Sequence, residues 1–336
     1  MALTLLFSAT AFAHPDHAAQ EMSAAANAFI ATLKPEQKAK AMFKLDDDNR
    51  TRWHFVPTEA HPRYGLTFRE MTQDQQHMTY ALLASVLSAR GLQKTAQVMS
   101  LEQVLADLES GGSMARDPKW YFVSIFGKPS AEGPWAWRFE GHHLSLSFTV
   151  VNGQVASFTP SFFGTNPAEI LSGPRQGLKV LAAEEDMARS LAKSLNTDQK
   201  KAAIFSDEAP SDIITSANRK AQRLEPLGLA AAKMSKKQIN QLWDLMAAYL
   251  RDYRPELAEK ALAKLDDTGL DQIHFAWAGS LEPREGHYYR IQAPKFLIEY
   301  DNSQNGGNHV HCVVRDLKND FADDLLRRHY EQHHNN

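Results

Sequence analysis

The sequence has few of the residues and motifs that build several common functional sites. Its 336 residues include one cysteine, Cys312, which excludes an intramolecular disulfide, thiolate zinc sites, iron–sulfur clusters and c-type haem attachment. The formal net charge is −3 and no run of Lys or Arg occurs, which argues against a nucleic-acid partner. The G-x-S-x-G, G-x-G-x-x-G and P-loop patterns are also absent. Any metal would need His and carboxylate ligands, and 14 histidines supply candidates.

Long apolar runs are also lacking, since no segment after residue 13 offers 18 apolar residues in a row. The first residues, "MALTLLFSATAFA", are apolar, too short to span a bilayer as a helix, and end in an Ala-x-Ala-like cleavage signal. They predict a signal peptide over 1–13, cleaved after Ala13, although no Lys or Arg precedes the apolar run. Export would place the protein in a periplasm or outside the cell, with no membrane span.

Short stretches of the sequence recur in the same order at a nearly constant distance. "LKPEQKAKAMF" (33–43) resembles "LNTDQKKAAIF" (195–205), and "GLTFREMTQDQ" (65–75) resembles "GLAAAKMSKKQ" (228–238). The segment from Gly127 to Arg138 resembles the one from Gly279 to Arg290, so the offsets run from 152 to 163. Such self-similarity predicts an internal duplication. The predicted parts are repeat 1 (20–160), a Pro/Gly-rich connecting loop (161–185), and repeat 2 with a C-terminal helix (186–336).

Each half shows the same succession of patterns. Helical patterns come first, near 20–44, 72–90 and 101–109 in one half and near 184–205, 235–250 and 256–265 in the other. Thr72 and Ser235 are predicted N-caps. Alternating, β-branched and aromatic segments follow, which predict an antiparallel meander in each half. The fold class is therefore α+β, with the two meanders joined about a pseudo-two-fold axis.

The stretch "NHVHCVVRD" (308–316) alternates so that a strand would turn both of its histidines to one face. If "SQNGG" forms the preceding turn, Asp301 lies opposite His309 and Glu299 lies opposite His311. Two carboxylates facing two imidazoles can share a divalent ion, or they can form ordinary hydrogen bonds across a solvated sheet. His143, from the other half, is expected to reach across to the same site.

Three stretches carry a resemblance to a known family: "GHHLSLSFTVVNG", "FFGTNPAE" and "EYDNSQNGGNHVHCVVRD". They resemble the motifs of an uncharacterised, mostly bacterial group, domain-of-unknown-function family 3500, and the likeness covers nearly the whole chain after the leader. The resemblance implies no particular reaction. It does single out a set of polar residues: His142, His143, Asn166, Glu299, Asp301, Asn302, Gln304, Asn308, His309, His311, Arg315 and Asp316.

One hypothesis is an exported metal-dependent hydrolase acting on a small-molecule substrate. A divalent ion (zinc, manganese or copper) would activate water, and Glu299 would act as the base. Arg315 and Arg138 would stabilise negative charge. The predicted metal ligands are His309, His311, His143 and Asp301, and the predicted ligand-binding residues are His142, Asn302, Gln304 and Asn308. The alternative is a non-catalytic periplasmic protein that binds a metal or a small ligand, and a third possibility is a scaffold with a solvated sheet. The sequence leaves the oligomeric state open.

Overall fold

The described part of the chain, residues 17–109, 112, 114–323 and 326 of a computed structural model, contains eight α-helices and one 13-stranded, mostly antiparallel sheet. The predicted α+β class is therefore confirmed. None of the helices within these residues is long and apolar enough to cross a bilayer. The predicted signal peptide and nearly all of the predicted C-terminal helix lie outside the described residues.

Most helices lie close to the predicted positions, but the one predicted near 101–109 begins at Ala89, and two predicted helices are each divided. Pro35 disfavours helical geometry at the residue before it, and Lys34 is extended (ψ 159°), so the first helix breaks there. Asn196 starts a new helix by accepting a hydrogen bond from the Gln199 N–H. The helices are α1 (His17–Thr32), α2 (Pro35–Ala41), α3 (Gln73–Ala84), α4 (Ala89–Leu108), α5 (Ala182–Ser194), α6 (Thr197–Ala203), α7 (Lys236–Leu250) and α8 (Pro255–Asp266). Thr72 and Ser235 cap α3 and α7 as predicted.

The strands form one sheet that runs through both halves of the chain. They are β1 (Met42–Phe43), β2 (Leu66–Thr67), β3 (Phe122–Phe126), β4 (Trp135–Gly141), β5 (Leu144–Val151), β6 (Gln154–Ser157), β7 (Ser161–Thr165), β8 (Ile204–Ser206), β9 (Leu229–Ala230), β10 (His274–Gly279), β11 (His287–Ala293), β12 (Phe296–Gln304) and β13 (His309–Asp316). Their order is β1-β3-β4-β5-β7-β13-β12-β11-β10-β8. At the centre, β7 and β13 pair antiparallel and join the two halves.

The predicted connecting loop over 161–185 is shorter than expected. It begins with β7 and ends inside α5, which leaves 166–181 as irregular chain. Pro160 and Gly164 made the segment look like a loop, but Phe162 and Phe163 are buried and β7 pairs on both sides. Tertiary pairing at the middle of the sheet therefore overrides the local signal of Pro and Gly.

The two faces of the sheet are both buried, contrary to the expectation of a solvated polar face. Leu144, Leu146 and Phe148 pack in the main core against the helices, as their alternation predicts. The opposite face carries polar residues such as Ser145 and Glu299, each 0% exposed. Two largely irregular segments, 44–65 and 207–228, pack on this second face and are called the covering segments below. The sheet is therefore not solvated on this face, contrary to the premise of the scaffold hypothesis.

Within each half, a pair of glutamine side chains joins a short helix to the next long one: α2 to α3 in the first half and α6 to α7 in the second. The amides of Gln37 and Gln75 hydrogen-bond to each other in both directions at 2.9 Å. The amides of Gln199 and Gln238 do the same at 3.0 Å. Gln75 and Gln238 also complete the capping boxes of α3 and α7. Each reciprocal pair ties a short helix to the start of the following long one.

Gln75→Ala and Gln238→Ala should each lower the free energy of unfolding by about 2 kcal/mol, because each leaves a polar partner unpaired in a mostly buried position. Chemical denaturation measures both values. Gln73→Ala is the matched control, since Gln73 is exposed in the first turn of α3, and it should change stability by less than about 0.5 kcal/mol. A Gln75→Ala variant as stable as the control would show that the amide pair contributes nothing.

Candidate metal centre

The turn between β4 and β5 carries the first two histidines of the site. His143 has a positive φ of 61°, so the chain reverses sharply at this residue. Its N–H donates to the Phe55 carbonyl (2.8 Å), and its carbonyl accepts from the Gly164 N–H (2.7 Å). A Cβ on Gly164 would lie 2.9 Å from the ring of His143, so the approach of β7 requires glycine there. The turn is thus fixed by β7 on one side and by the covering segment on the other.

The other two histidines lie on β13, and a β-bulge sets their positions. Asp301 pairs with His311 and Gln304 pairs with His309, with a register shift between the two pairs. The predicted pairing of Asp301 with His309 and of Glu299 with His311 is therefore wrong by two residues. Asn302 explains the shift, because its Oδ1 accepts the His309 N–H at 2.9 Å in place of a regular ladder bond. Since a two-residue shift preserves parity, Asp301 and His311 still share a face.

Three imidazoles converge where the turn meets β13. The Nε2 atom of His143 lies 2.8 Å from Nε2 of His309 and 3.3 Å from Nε2 of His311. One nitrogen from each ring lies within 4.8 Å of the others. His143 and His311 are 3% and 5% exposed, whereas His309 is half-buried. The arrangement is a compact set of three nitrogens with one partly accessible member.

Burial favours the neutral form of His143 and His309, which is the form that can bind a metal. Desolvation, with contributions from His311 and His142, lowers the pKa of His309 to about 3. Desolvation also lowers the pKa of His143 well below its ordinary value, and the neighbouring histidines act in the same direction. Neutral imidazoles keep a lone pair on one nitrogen, which is the form that coordinates a cation.

A carboxylate fixes the tautomer of His311. The Nδ1–H of His311 donates to Asp212 Oδ1 at 2.7 Å, because a carboxylate can only accept. In the neutral ring the lone pair of His311 therefore lies on Nε2, which is the atom that faces His143. Hydrogen bonding of a metal-binding imidazole to a carboxylate through its other nitrogen is a recurrent feature of metal sites.

Aromatic side chains close the site on its inner side. The ring of His311 lies 4.8 Å from the Phe55 ring and 5.6 Å from the Phe162 ring, centroid to centroid. Phe55 and Phe162 stack on each other at 4.2 Å and belong to a small second core beneath the covering segments. This apolar surround accounts for the desolvation of the imidazoles.

The donor set fits a small transition-metal ion. Zinc binds imidazole nitrogen at about 2.0–2.1 Å, which puts two nitrogens of a tetrahedral site about 3.3 Å apart. The two separations from His143 Nε2, 2.8 and 3.3 Å, lie near that value, and all three nitrogens lie within 4.8 Å of one another. The three nitrogens would leave one position of a tetrahedral ion free.

A second group of potential ligands, formed by Glu102, His142 and His143, fits a cation less well. His142 Nδ1 already donates to Glu102 Oε1 at 2.6 Å. The guanidinium of Arg116 lies 3.3 Å from the same nitrogen and would repel an added cation. The His142 ring also stacks on His143 at 3.7 Å, centroid to centroid. We therefore assign the His142–Glu102 pair a role in holding His143 in place.

The predicted base, Glu299, lies away from the imidazoles. It is opposite Val313, and its carboxylate accepts from the N–H groups of Ile214 and Thr215 and from the Tyr288 hydroxyl. Burial raises the pKa of Glu299, and the hydrogen bonds from Thr215 and Tyr288 oppose that shift. Because its oxygens are occupied by these donors, this geometry does not suit a base.

The two predicted catalytic arginines bind the covering segments and not the site. Arg138 Nη1 donates to the carbonyls of Asn49 and Arg50, and its Nε lies 2.8 Å from Glu140 Oε1. Arg315 Nε pairs with Asp320 at 2.5 Å, and its Nη2 donates to the carbonyl of Asn218 at 2.8 Å. Their observed contacts hold these segments on the sheet.

The remaining predicted residues support the site from its edges. Asp301 lies opposite His311 outside the cluster of ligand nitrogens, and burial raises its pKa to about 7. Its Oδ1 accepts from the Ser303 N–H and hydroxyl. Gln304 Nε2 donates to the Ser211 carbonyl, and Asn308 bonds the backbone of Glu169 through both ends of its amide. These contacts shape the turn before His309.

Sequence reasoning missed three residues that build the site: Asp212, Glu102 and Phe55. Asp212 lies in an irregular segment where no periodicity assigns a direction to its side chain. Glu102 is 3% exposed on α4, and a buried acid in a helix is the kind of residue that needs a partner. Phe55 lies in the stretch "RWHF", whose aromatic residues could have indicated a buried segment.

One protein-family model covers nearly the whole of the described chain. The model of the family described as "Protein of unknown function (DUF3500)" matches residues 16–323. The chain belongs to this family. The expected resemblance is thus confirmed, and the three histidines of this DUF3500 protein lie within the matched region. No curated protein matches the chain, and neither does any solved structure.

The stability of the metal-free protein should depend on pH through His309. The pKa of His309 is 6.5 in the unfolded chain and about 3 in the folded one. Between these two pH values the unfolded chain binds a proton at His309 and the folded chain does not. Stability contributed by this group is therefore present above pH 6.5 and lost as the pH falls toward 3. His309→Gln should reduce the loss between pH 7 and pH 4 by about 3 kcal/mol, measured by urea unfolding. Identical pH profiles for the two proteins would contradict this expectation.

Proposed function

We propose that this protein binds one divalent transition-metal ion through the Nε2 atoms of His143, His309 and His311. The observation that carries the proposal is the convergence of three imidazoles, with Nε2 of His143 2.8 Å from Nε2 of His309 and 3.3 Å from Nε2 of His311. A hydrogen bond between two neutral imidazoles satisfies one pair of nitrogens at a time, whereas a metal ion can bind all three nitrogens at once.

The ligand chemistry favours zinc or copper over manganese. All three donors are imidazole nitrogens, which suit zinc and copper, whereas manganese prefers carboxylate and other oxygen ligands. Asp301, proposed from the sequence as a fourth ligand, lies outside the group of nitrogens and keeps its Oδ1 on Ser303. A water molecule or a ligand would then complete the coordination of a tetrahedral ion.

A metal-dependent hydrolase is the second candidate. Three protein ligands with an open fourth position are typical of catalytic zinc, which acidifies a bound water. The half-buried position of His309 supports access to that position from solvent. Glu299, Arg138 and Arg315 are engaged elsewhere, so a general base is lacking among the residues first proposed. Metal binding without catalysis is therefore better supported. Export, suggested by the first 13 residues, remains part of the proposal.

We also propose that the chain arose by internal duplication. In both halves the short strand that follows the second helix pairs in parallel with the first long strand: Met42 with Ile125, and Ile204 with Trp277. The next hairpins share one register, since Arg138 pairs with Ser147 and Arg290 with Glu299. The offsets between these positions are 162 and 152, the same as in the sequence matches. The two reciprocal glutamine pairs add further support.

Purified protein should bind one zinc or cobalt ion per chain, measured by elemental analysis and by titration. His143→Ala, His309→Ala and His311→Ala should each weaken binding by at least about 100-fold, because each removes a ligand. His77→Ala is the control, since His77 is exposed on α3 away from the cluster, and its affinity should equal that of the wild type. Wild-type protein that binds neither zinc nor cobalt on titration would refute the proposal.

If the protein is a hydrolase, the zinc-loaded form should cleave at least one member of a panel of carboxylic and phosphoric esters. His309→Ala should abolish that activity, because the water-activating ion would be lost. Metal-loaded protein without activity on the panel would leave binding as the function and remove the hydrolase candidate.

A further inference from the structure

We infer that Asp212 is a positioning residue for the metal centre and that Glu299 serves the site by holding the segment that carries Asp212. This inference rests on the proposed metal site. It gives new roles to one residue that sequence reasoning missed and to one that it took for a base.

The carboxylate of Asp212 is held in one orientation by two donors. Its Oδ1 accepts the Nδ1–H of His311 at 2.7 Å and the N–H of Ile213 at 2.7 Å. The His311 side chain is 6% exposed and that of Asp212 is 35% exposed, so the bond is shielded on the ring side. A carboxylate in this position keeps the lone pair on Nε2 and increases its electron density toward a cation.

Two anchors from β12 fix the backbone on either side of Asp212. On the C-terminal side, the N–H of Ile214 donates to Glu299 Oε1 at 2.5 Å, and the N–H of Thr215 donates to Oε2 at 3.1 Å. The Thr215 hydroxyl also donates to Glu299. On the N-terminal side, Gln304 Nε2 donates to the carbonyl of Ser211 at 3.1 Å.

The contacts therefore form a chain from the sheet to the metal ligand. Glu299 is 0% exposed and accepts hydrogen bonds from the N–H groups of Ile214 and of Thr215, which is buried and would otherwise lack this partner. That segment contains Asp212, and Asp212 orients the ring of His311 through a hydrogen bond. The connection explains why a buried acid lies on the site's face of the sheet without contacting the imidazoles.

The test is a titration of zinc and cobalt into the wild type, Asp212→Ala, Asp212→Glu and Asp207→Ala. Asp212→Ala should weaken metal binding about 10- to 100-fold, the usual effect of losing the carboxylate behind a ligating imidazole. Asp212→Glu should recover part of that loss. Asp207→Ala is the matched control, because Asp207 is exposed in the same segment, and its affinity should be unchanged.

The cobalt-loaded forms provide a spectrum that a loss of overall stability alone would not change. The visible d–d spectrum reports ligand geometry and should shift in Asp212→Ala, while circular dichroism shows the fold intact. Glu299→Gln should weaken binding in the same direction, and the double variant should lose less than the sum of the two single effects, since both act through His311.

The outcomes separate this inference from the proposed function. A wild type that binds neither metal would overturn the metal site and this inference with it. A wild type that binds, together with Asp212→Ala of equal affinity and unchanged cobalt spectrum, would overturn the role of Asp212 alone. Additive effects of Asp212→Ala and Glu299→Gln would overturn the role assigned to Glu299.

Discussion

The candidate site depends on the antiparallel pairing of β7 with β13 at the centre of the sheet. This pairing joins the strands of the two halves and aligns His311 with Gly164. The N–H of Gly164 in turn holds the carbonyl of His143, and the absence of a side chain lets the ring approach. Residues 168 positions apart in sequence therefore meet at hydrogen-bond distance. Neither half could assemble the three imidazoles alone.

Burial of the second sheet face decides the chemistry of these imidazoles. A solvated face would leave the histidines near their ordinary pKa and free to carry protons. The segments 44–65 and 207–228 instead exclude water, and desolvation lowers the pKa of His143 and His309. The same burial makes polar anchors necessary, which is why Arg138, Arg315 and Glu299 bind the backbone of the covering segments.

Much of the fold could be predicted because its signals are local and periodic. Alternation placed β12 and β13, and the caps Thr72 and Ser235 marked the starts of α3 and α7. The convergence of His143 with His309 and His311 also followed from motif and strand parity. The register of the last hairpin did not, because the bulge depends on the Asn302 side chain replacing a ladder bond, which no spacing rule encodes. The roles of Glu299, Arg138 and Arg315 could not be predicted for a related reason. Their partners lie in irregular segments, where no periodicity indicates which backbone groups will face the sheet.

The two halves differ at the positions that form the candidate site. Arg138 and Arg290 occupy matching places, but Ser147 of the first half corresponds to Glu299 of the second, at the same register in each hairpin. The serine cannot anchor a covering segment through several backbone donors, whereas the carboxylate does so over 214–215. The first half contributes the His142–His143 turn, and the second contributes β13 with its carboxylate-anchored cover. The candidate site therefore depends both on side chains that differ between the halves and on the pairing of β7 with β13 that brings them together.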